Sequence, residues 1–201
     1  MAELAAADVE AFTRGRLLAS DTEVQRMLAA ALRTARRYCG WSVNPVVTDD
    51  AVTLDGPGSR ILMLPTRKLI TLTSLTEDGV TVDLSTVRSS AGGPPGALER
   101  PVCVRKKSNG WWKDFYQAYD VVMTHGYSDT EAADWRYAVL TMVDQMSQVL
   151  VSGRGELDLL SKKVDDVTYR WGDAYADSAD SALGSVNSIL DDYRLPSVDF
   201  L

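Results

Sequence analysis

The sequence has one histidine, His125, and only two cysteines, Cys39 and Cys103, far apart in the chain. One histidine excludes His-rich metal sites, and distant cysteines offer no CxxC pair. They make no disulfide framework either, so buried reduced thiols are expected. No apolar run approaches the roughly 20 residues a membrane helix needs. The opening residues, MAELAAADVEAF, lack the basic start and apolar middle of a secretory signal, and the chain is expected to stay in the cytoplasm that makes it. A nucleophile elbow, a Walker loop and a dinucleotide glycine pattern are also missing, because GPG and GGPPG have neither the spacing nor the strand-to-helix setting. The adjacent carboxylates Asp49-Asp50, Asp165-Asp166 and Asp191-Asp192 diverge on either a strand or a helix, which weakens paired acid/base chemistry. No Ser or Cys can be tied to His125, and the plainer alternative is a histidine bonded within a turn. No catalytic, cofactor-binding or metal-binding residue is assigned, no cofactor is expected, and the chain is read as not an enzyme.

What is present is ordinary for a chain that buries a real core: 201 residues, 45% hydrophobic and 24% charged, enough for one domain or one domain with an elaboration. The net charge of −7 is unevenly placed. Residues 1–128 hold 14 acidic and 15 basic side chains, whereas 129–201 hold 14 acidic and 6 basic. Acidity confined to the C-terminal third argues against general nucleic-acid binding, which needs cations to replace phosphate counterions.

Along the chain, Asp8 to Leu18 reads as a short helix with Val9 and Phe12 on one face. A clearer helix follows, with Ser20 and Glu23 at capping-box spacing and Asp21 at its positive end. Val24, Met27, Leu28, Ala31, Leu32 and Ala35 form its stripe, and Gly40 supplies a stop. Arg26, Arg33, Arg36 and Arg37 form either a solvated face or a contact for a neighbouring subunit. From Trp41 the texture is β. AVTLDGPGSRILML reads as a hairpin turning at Asp55-Gly56-Pro57-Gly58, and LITLTSLTEDGVTVD as another turning at Asp78-Gly79. Neither face of the second pair is purely polar, so cover on both sides is expected. SSAGGPPGA is a loop, and Val102 to Val104 and Tyr119 to Met123 complete the β set.

RKKSNGWWKDFYQAY is the basic, aromatic-interleaved segment. Lys106, Lys107, Trp111, Trp112 and Lys113 are its candidate contact residues. The plain alternative is a long loop whose tryptophans cap the sheet. His125-Gly126-Tyr127 turns the chain into a last long helix, with Ser128 and Glu131 at capping-box spacing. Trp135, Ala138, Val139, Met142, Val143, Met146, Val149 and Leu150 form its stripe. KKVDDVTYRW reads as an extended arm or edge strand. Leu183, Val186, Leu190 and Tyr193 make a short final helix before an apolar tail with Leu195, Val198, Phe200 and Leu201, where Pro196 forbids further helix. The fold class is α+β: a helical bundle core of about four helices with an inserted small antiparallel β domain and an extended C-terminal arm. Its parts are N-terminal core helices (1–44), a β-rich insertion (45–127), and the long helix, arm, C-terminal helix and tail (128–201).

The order and spacing of ARRYCGW, LMLPTRKLITLTSLTEDG and Thr124-His125-Gly126-Tyr127 resemble the head-tail connector, or adaptor, proteins of long-tailed bacteriophages. The likeness covers almost the whole chain; the segment around Trp111-Trp112 matches least well, and its basic RKKSNG lead-in is particular to this chain. None of these motifs is catalytic; each is a packing or turn motif. The resemblance implies a virion protein of the neck: a ring, typically of twelve copies, below the portal. Such a ring extends the DNA channel, supplies the docking platform for the next connector and the tail, and helps keep the genome in place until ejection. Twelve copies would carry about −84 charges, which repel DNA and let it pass without specific binding. The resemblance further suggests portal docking by the C-terminal helix and tail: Leu183, Val186, Leu190, Tyr193, Leu195, Val198, Phe200 and Leu201. The implied partners are other copies, the portal and the next neck or tail ring protein, with no membrane. A stopper or tail-completion protein is the alternative within this class. A stand-alone nucleic-acid- or peptide-binding module is the alternative outside it.

Overall fold

The computed structural model describes residues 3–90, 102–151, 161–164, 167–170 and 186–195, with the side chains of 149–151, 161–164 and 167–170 excepted. The fold is α+β. It forms two compact units, whose boundaries fall between Glu3 and Leu4, Ala35 and Arg36, Ala133 and Asp134, and Asp191 and Asp192.

The helical unit contains α1 (Ala6–Phe12), all but the last turn of α2 (Thr22–Cys39), nearly all of α3 (Ala133–Val151) and most of α4 (186–193). Helix α1 is shorter than expected. The Thr13 hydroxyl donates to the Val9 carbonyl at 2.8 Å, and the chain then turns at Arg14 (φ 53°) instead of running to Leu18. Phe12 meets Tyr137 of α3 edge-on, and the Arg16 guanidinium reaches Asp144 and, at 3.0 Å, Ser147. Helix α2 is capped by Asp21, which accepts from the Glu23 N–H at 2.8 Å; the Ser20 expected in that role lies one residue too early. Its stripe from Val24 to Ala35 is buried, while Arg26, Arg33 and Arg37 face outward. In α3, Trp135, Ala138, Val139 and Val143 are buried and Met142 and Met146 are half-buried. This is the expected stripe; Val149 and Leu150 lie outside the described side chains. Strands β8 (Ser161–Val164) and β9 (Val167–Arg170) pair antiparallel in a small sheet of their own. The arm is thus a strand pair.

Among the described residues, the β unit has two antiparallel sheets. One has the order β1 (Val47–Leu54), β7 (Tyr119–His125), β3 (Leu69–Glu77), β4 (Val80–Thr81). The other has the order β2 (Leu62–Met63), β6 (Cys103–Lys106), β5 (Val87–Ser89). Strand β7 is central, pairing with β1 on one side and β3 on the other, and its alternation is clean. Tyr119, Val121, Met123 and His125 point inward, and Asp120, Val122 and Thr124 point away. Leu62, Leu64, Leu75, Val104, Trp112, Tyr119 and Met123 bring both sheets into one core. On the other face Asp120 accepts from Thr53 at 2.8 Å and Thr76 at 3.4 Å, which links three strands. That face is open to solvent, not covered as expected. The Asp78-Gly79 hairpin joins β3 to β4 as expected, with both residues at positive φ. The hairpin expected at Asp55–Gly58 does not form: β1 pairs with β7, and β2 belongs to the other sheet.

At the end of β7 the chain turns through Gly126. Its φ of +108° and the Pro45 carbonyl oxygen 3.1 Å from where a Cβ would stand leave room for glycine alone. Around this joint Trp41 lies 5.7 Å from Tyr127, and Tyr127 lies 5.5 Å from Tyr193, both edge to face. The Trp41 indole donates to the Tyr193 carbonyl at 2.7 Å, and the Leu195 N–H donates to the Cys39 carbonyl at 2.8 Å. Ser128 and Glu131 form the reciprocal box foreseen for them, with Ser128 N–H to Glu131 Oε2 at 3.0 Å and Glu131 N–H to Ser128 Oγ at 3.3 Å. No described helix is long and apolar enough to cross a membrane.

Candidate functional site

The candidate site grows from a ribbon that continues past the end of β1. The Gly56 N–H donates to the Phe115 carbonyl at 2.8 Å, the Trp112 N–H to the Ser59 carbonyl at 2.7 Å, and the Gln117 N–H to Asp55 Oδ1 at 2.8 Å. Gly56 is required here, since a Cβ would stand 2.0 Å from the Lys113 carbonyl oxygen. This close approach explains the missing hairpin. The glycines that spell a turn locally are used to lay residues 55–60 against 112–117.

Beneath the ribbon, Trp112 is 1% exposed and its indole donates to the Val104 carbonyl at 3.1 Å. The Lys106 ammonium stands 4.5 Å over that ring, bonds Glu77 at 2.9 Å and donates to the Trp111 carbonyl at 3.2 Å. The Tyr119 hydroxyl donates to the same Glu77 carboxylate at 2.9 Å and accepts from the Lys113 N–H at 2.7 Å. Burial, then the bond to Glu77, pushes Tyr119 up to about 12. Burial alone would raise Glu77, but the bonds from Lys106 and Tyr119 outweigh it and hold the carboxyl below its ordinary range. Charge, hydrogen bonds and ring stacking thus fix this loop from below.

Above it, Trp111, Phe115 and Tyr116 are 62%, 61% and 81% exposed, and the Arg60 guanidinium lies 5.8 Å over the Trp111 ring. Aromatic and arginine side chains are the residue types that carry interface energy. A rigid backbone lowers the ordering cost of using them. The five loop residues predicted from sequence therefore part ways. Trp111 and Lys113 are exposed, Trp112 is core, Lys106 is an internal ion-pair partner, and Lys107 donates to the Ser85 carbonyl at 2.6 Å. Phe115, Tyr116 and Arg60 were missed, although the DFY run beside the tryptophans carried the signal.

The predicted docking residues of the C-terminus also divide. Val186, Leu190 and Tyr193 are buried, and Leu195 is half-buried with its N–H bonded to Cys39. Leu183, Val198, Phe200 and Leu201 lie outside the described residues. His125 is buried with Nε2 3.0 Å from Asp50 Oδ2, beside Trp41. Its position in β7, pairing with both Val47 and Leu69, makes it part of the sheet. Among the described residues, no cluster of three or more His, Cys, Asp or Glu side chains is placed to hold a metal ion.

No protein-family profile and no curated protein matches the sequence. Among solved structures, a chain of the neck of an empty GTA particle computed with C6 symmetry is similar in fold. Its TM-score is 0.56 at 15% identity, and the alignment covers 97% of this chain and 91% of that one.

Proposed function

We propose that this chain is a structural protein of the neck of a phage-like particle, a head-to-tail adaptor whose copies form a ring below the portal. The observation that carries the reading is the likeness to a neck chain over nearly the full length of both proteins. A twelve-copy ring is compatible with the C6 symmetry of that particle, since twelve is a multiple of six. In this reading the ring extends the DNA channel, and the Trp111, Phe115 and Tyr116 platform is where the next neck or tail protein docks. The net charge of −7 per copy keeps the wall of the channel from holding DNA.

Portal docking falls to the tail after Leu195, because Val186, Leu190 and Tyr193 are buried within the chain itself. Truncation after Leu195 leaves those buried residues in place and is expected to abolish binding to portal-bearing capsids. Undiminished binding by the truncated chain would refute tail docking. A stand-alone nucleic-acid module predicts instead a DNA affinity that falls steeply with salt and with neutralisation of Lys107 and Lys113.

A further inference from the structure

We infer that the protein docking on the ribbon presents carboxylates, and that Arg88 and Arg105, side by side on the outer face of the three-stranded sheet, receive them. The inference rests on the docking reading above and names the chemistry of the surface that docks.

Strands β5 and β6 pair so that Val87 stands opposite Lys106 and Arg88 opposite Arg105. Val87 is buried and the Lys106 ammonium lies over the Trp112 ring, so that pair faces the core. Alternation turns the next pair outward, and Arg88 and Arg105 are both exposed. Two guanidinium groups thus stand directly across the ladder, where like charges destabilise a sheet. Among the described residues, neither has an ion pair or a hydrogen bond. Residues 91–101, between the two strands in sequence, hold one acid and one base and bring no net charge.

The charge around the pair is one-sided. Residues 55–63, 83–89 and 103–117 hold six basic and three acidic side chains, in a chain whose net charge is −7. Two of the three acids are occupied. Asp55 accepts from the Gln117 N–H at 2.8 Å, and Asp83 accepts from the Ser85 N–H at 2.8 Å and its hydroxyl at 2.7 Å. Of the six bases, only Lys106 has an ion pair among the described residues.

A partner carrying carboxylates removes this excess, and a guanidinium can grip a carboxylate with two parallel bonds. A protein suits the surface better than DNA does. Met63, opposite Cys103 on the same outer face, is 43% exposed. Arg60, which leads into β2, lies over the exposed Trp111 ring. Arginine, methionine and tryptophan together have the composition of a protein interface, whereas the chain's overall negative charge opposes a phosphate backbone.

The test is an Arg88→Gln/Arg105→Gln double variant of the full chain in assembled particles. Removing two like charges should leave the thermal stability of the chain unchanged or raised, while tail attachment falls at least tenfold. Attachment equal to that of the unaltered chain would overturn the inference; if packaged DNA is then lost instead, the arginines hold phosphates. The partner's chemistry is read separately with Arg105→Lys, which keeps the charge and adds an amine. Zero-length carbodiimide coupling in particles should join position 105 to an Asp or Glu of the neighbouring neck or tail protein, and coupling confined to this chain would contradict it. Normal tail attachment by a Trp111→Ala/Phe115→Ala/Tyr116→Ala variant would remove the docking reading itself. Normal attachment by the arginine variant alone would leave the platform standing without its acidic partner.

Discussion

Two groups of aromatic residues in the β unit have opposite fates. Around the joint after β7, Trp41, Tyr127 and Tyr193 are buried and meet one another edge to face, and the Trp41 indole and the Tyr193 hydroxyl donate to the Tyr193 and Glu131 carbonyls. On the ribbon at 111–116, Trp112 alone turns inward, and Trp111, Phe115 and Tyr116 are held out in solvent. The same residue types hold the fold together in one place and are left uncovered in the other. The difference lies in the backbone. The joint is packed around its rings, whereas the ribbon is held by Gly56, Glu77 and Trp112 and leaves its outer rings mostly exposed.

The comparison breaks most sharply at the joint. Trp41→Ala removes a buried ring and the bond to the Tyr193 carbonyl, and should cost about 3–5 kcal/mol in denaturant unfolding. Next is Gly56→Ala. Its Cβ cannot share space with the Lys113 carbonyl, so the ribbon must open at a cost of about 1–3 kcal/mol, with Trp111 fluorescence shifting as the loop moves.

The capping box gives a smaller and pH-dependent effect. Glu131 is lowered from 4.5 to about 2, first by the Ser128 N–H, then by Lys68 and the Ser128 hydroxyl. A carboxylate with a depressed value contributes stability above its ordinary pKa and loses it as pH falls from about 4.5 toward 2. Glu131→Gln should therefore lower stability at neutral pH by less than about 1 kcal/mol, since the side chain is well exposed. The gap should close by pH 2 in parallel acid titrations. The smallest effect on stability belongs to the platform. Trp111→Ala, Phe115→Ala and Tyr116→Ala should each stay within about 0.5 kcal/mol, while the triple variant loses tail attachment to the assembled particle. A large stability loss in that triple variant would mean the rings serve the fold after all.

What could be read from the sequence follows the same divide between local and non-local physics. The α2 stripe, the α3 stripe from Trp135 to Met146, the Ser128–Glu131 box and the Asp78-Gly79 hairpin depend on close neighbours in the chain, and they formed as read. The choice of Asp21 over Ser20 as cap was a one-residue matter, decided by where the helix begins. Asp55–Gly58 misled because its glycines serve a close approach to residues almost 60 positions later, which no local pattern encodes. Trp111 and Trp112 were read as equals, since alternation across a strand edge separates adjacent residues only once the partner strand is known. The buried face of β3 was also hidden, because its bulges at Ile70 and Thr73 break the period of two that would have shown it.

The central claim is that this chain is a ring subunit at the neck. Electron cryomicroscopy of particles carrying the chain, with density traced at side-chain level between capsid and tail, tests it most directly. The account predicts a closed ring of copies below the portal, with Trp111, Phe115 and Tyr116 buried against the next neck or tail protein. Density for the chain elsewhere, or a neck with no copy of it, would contradict the account.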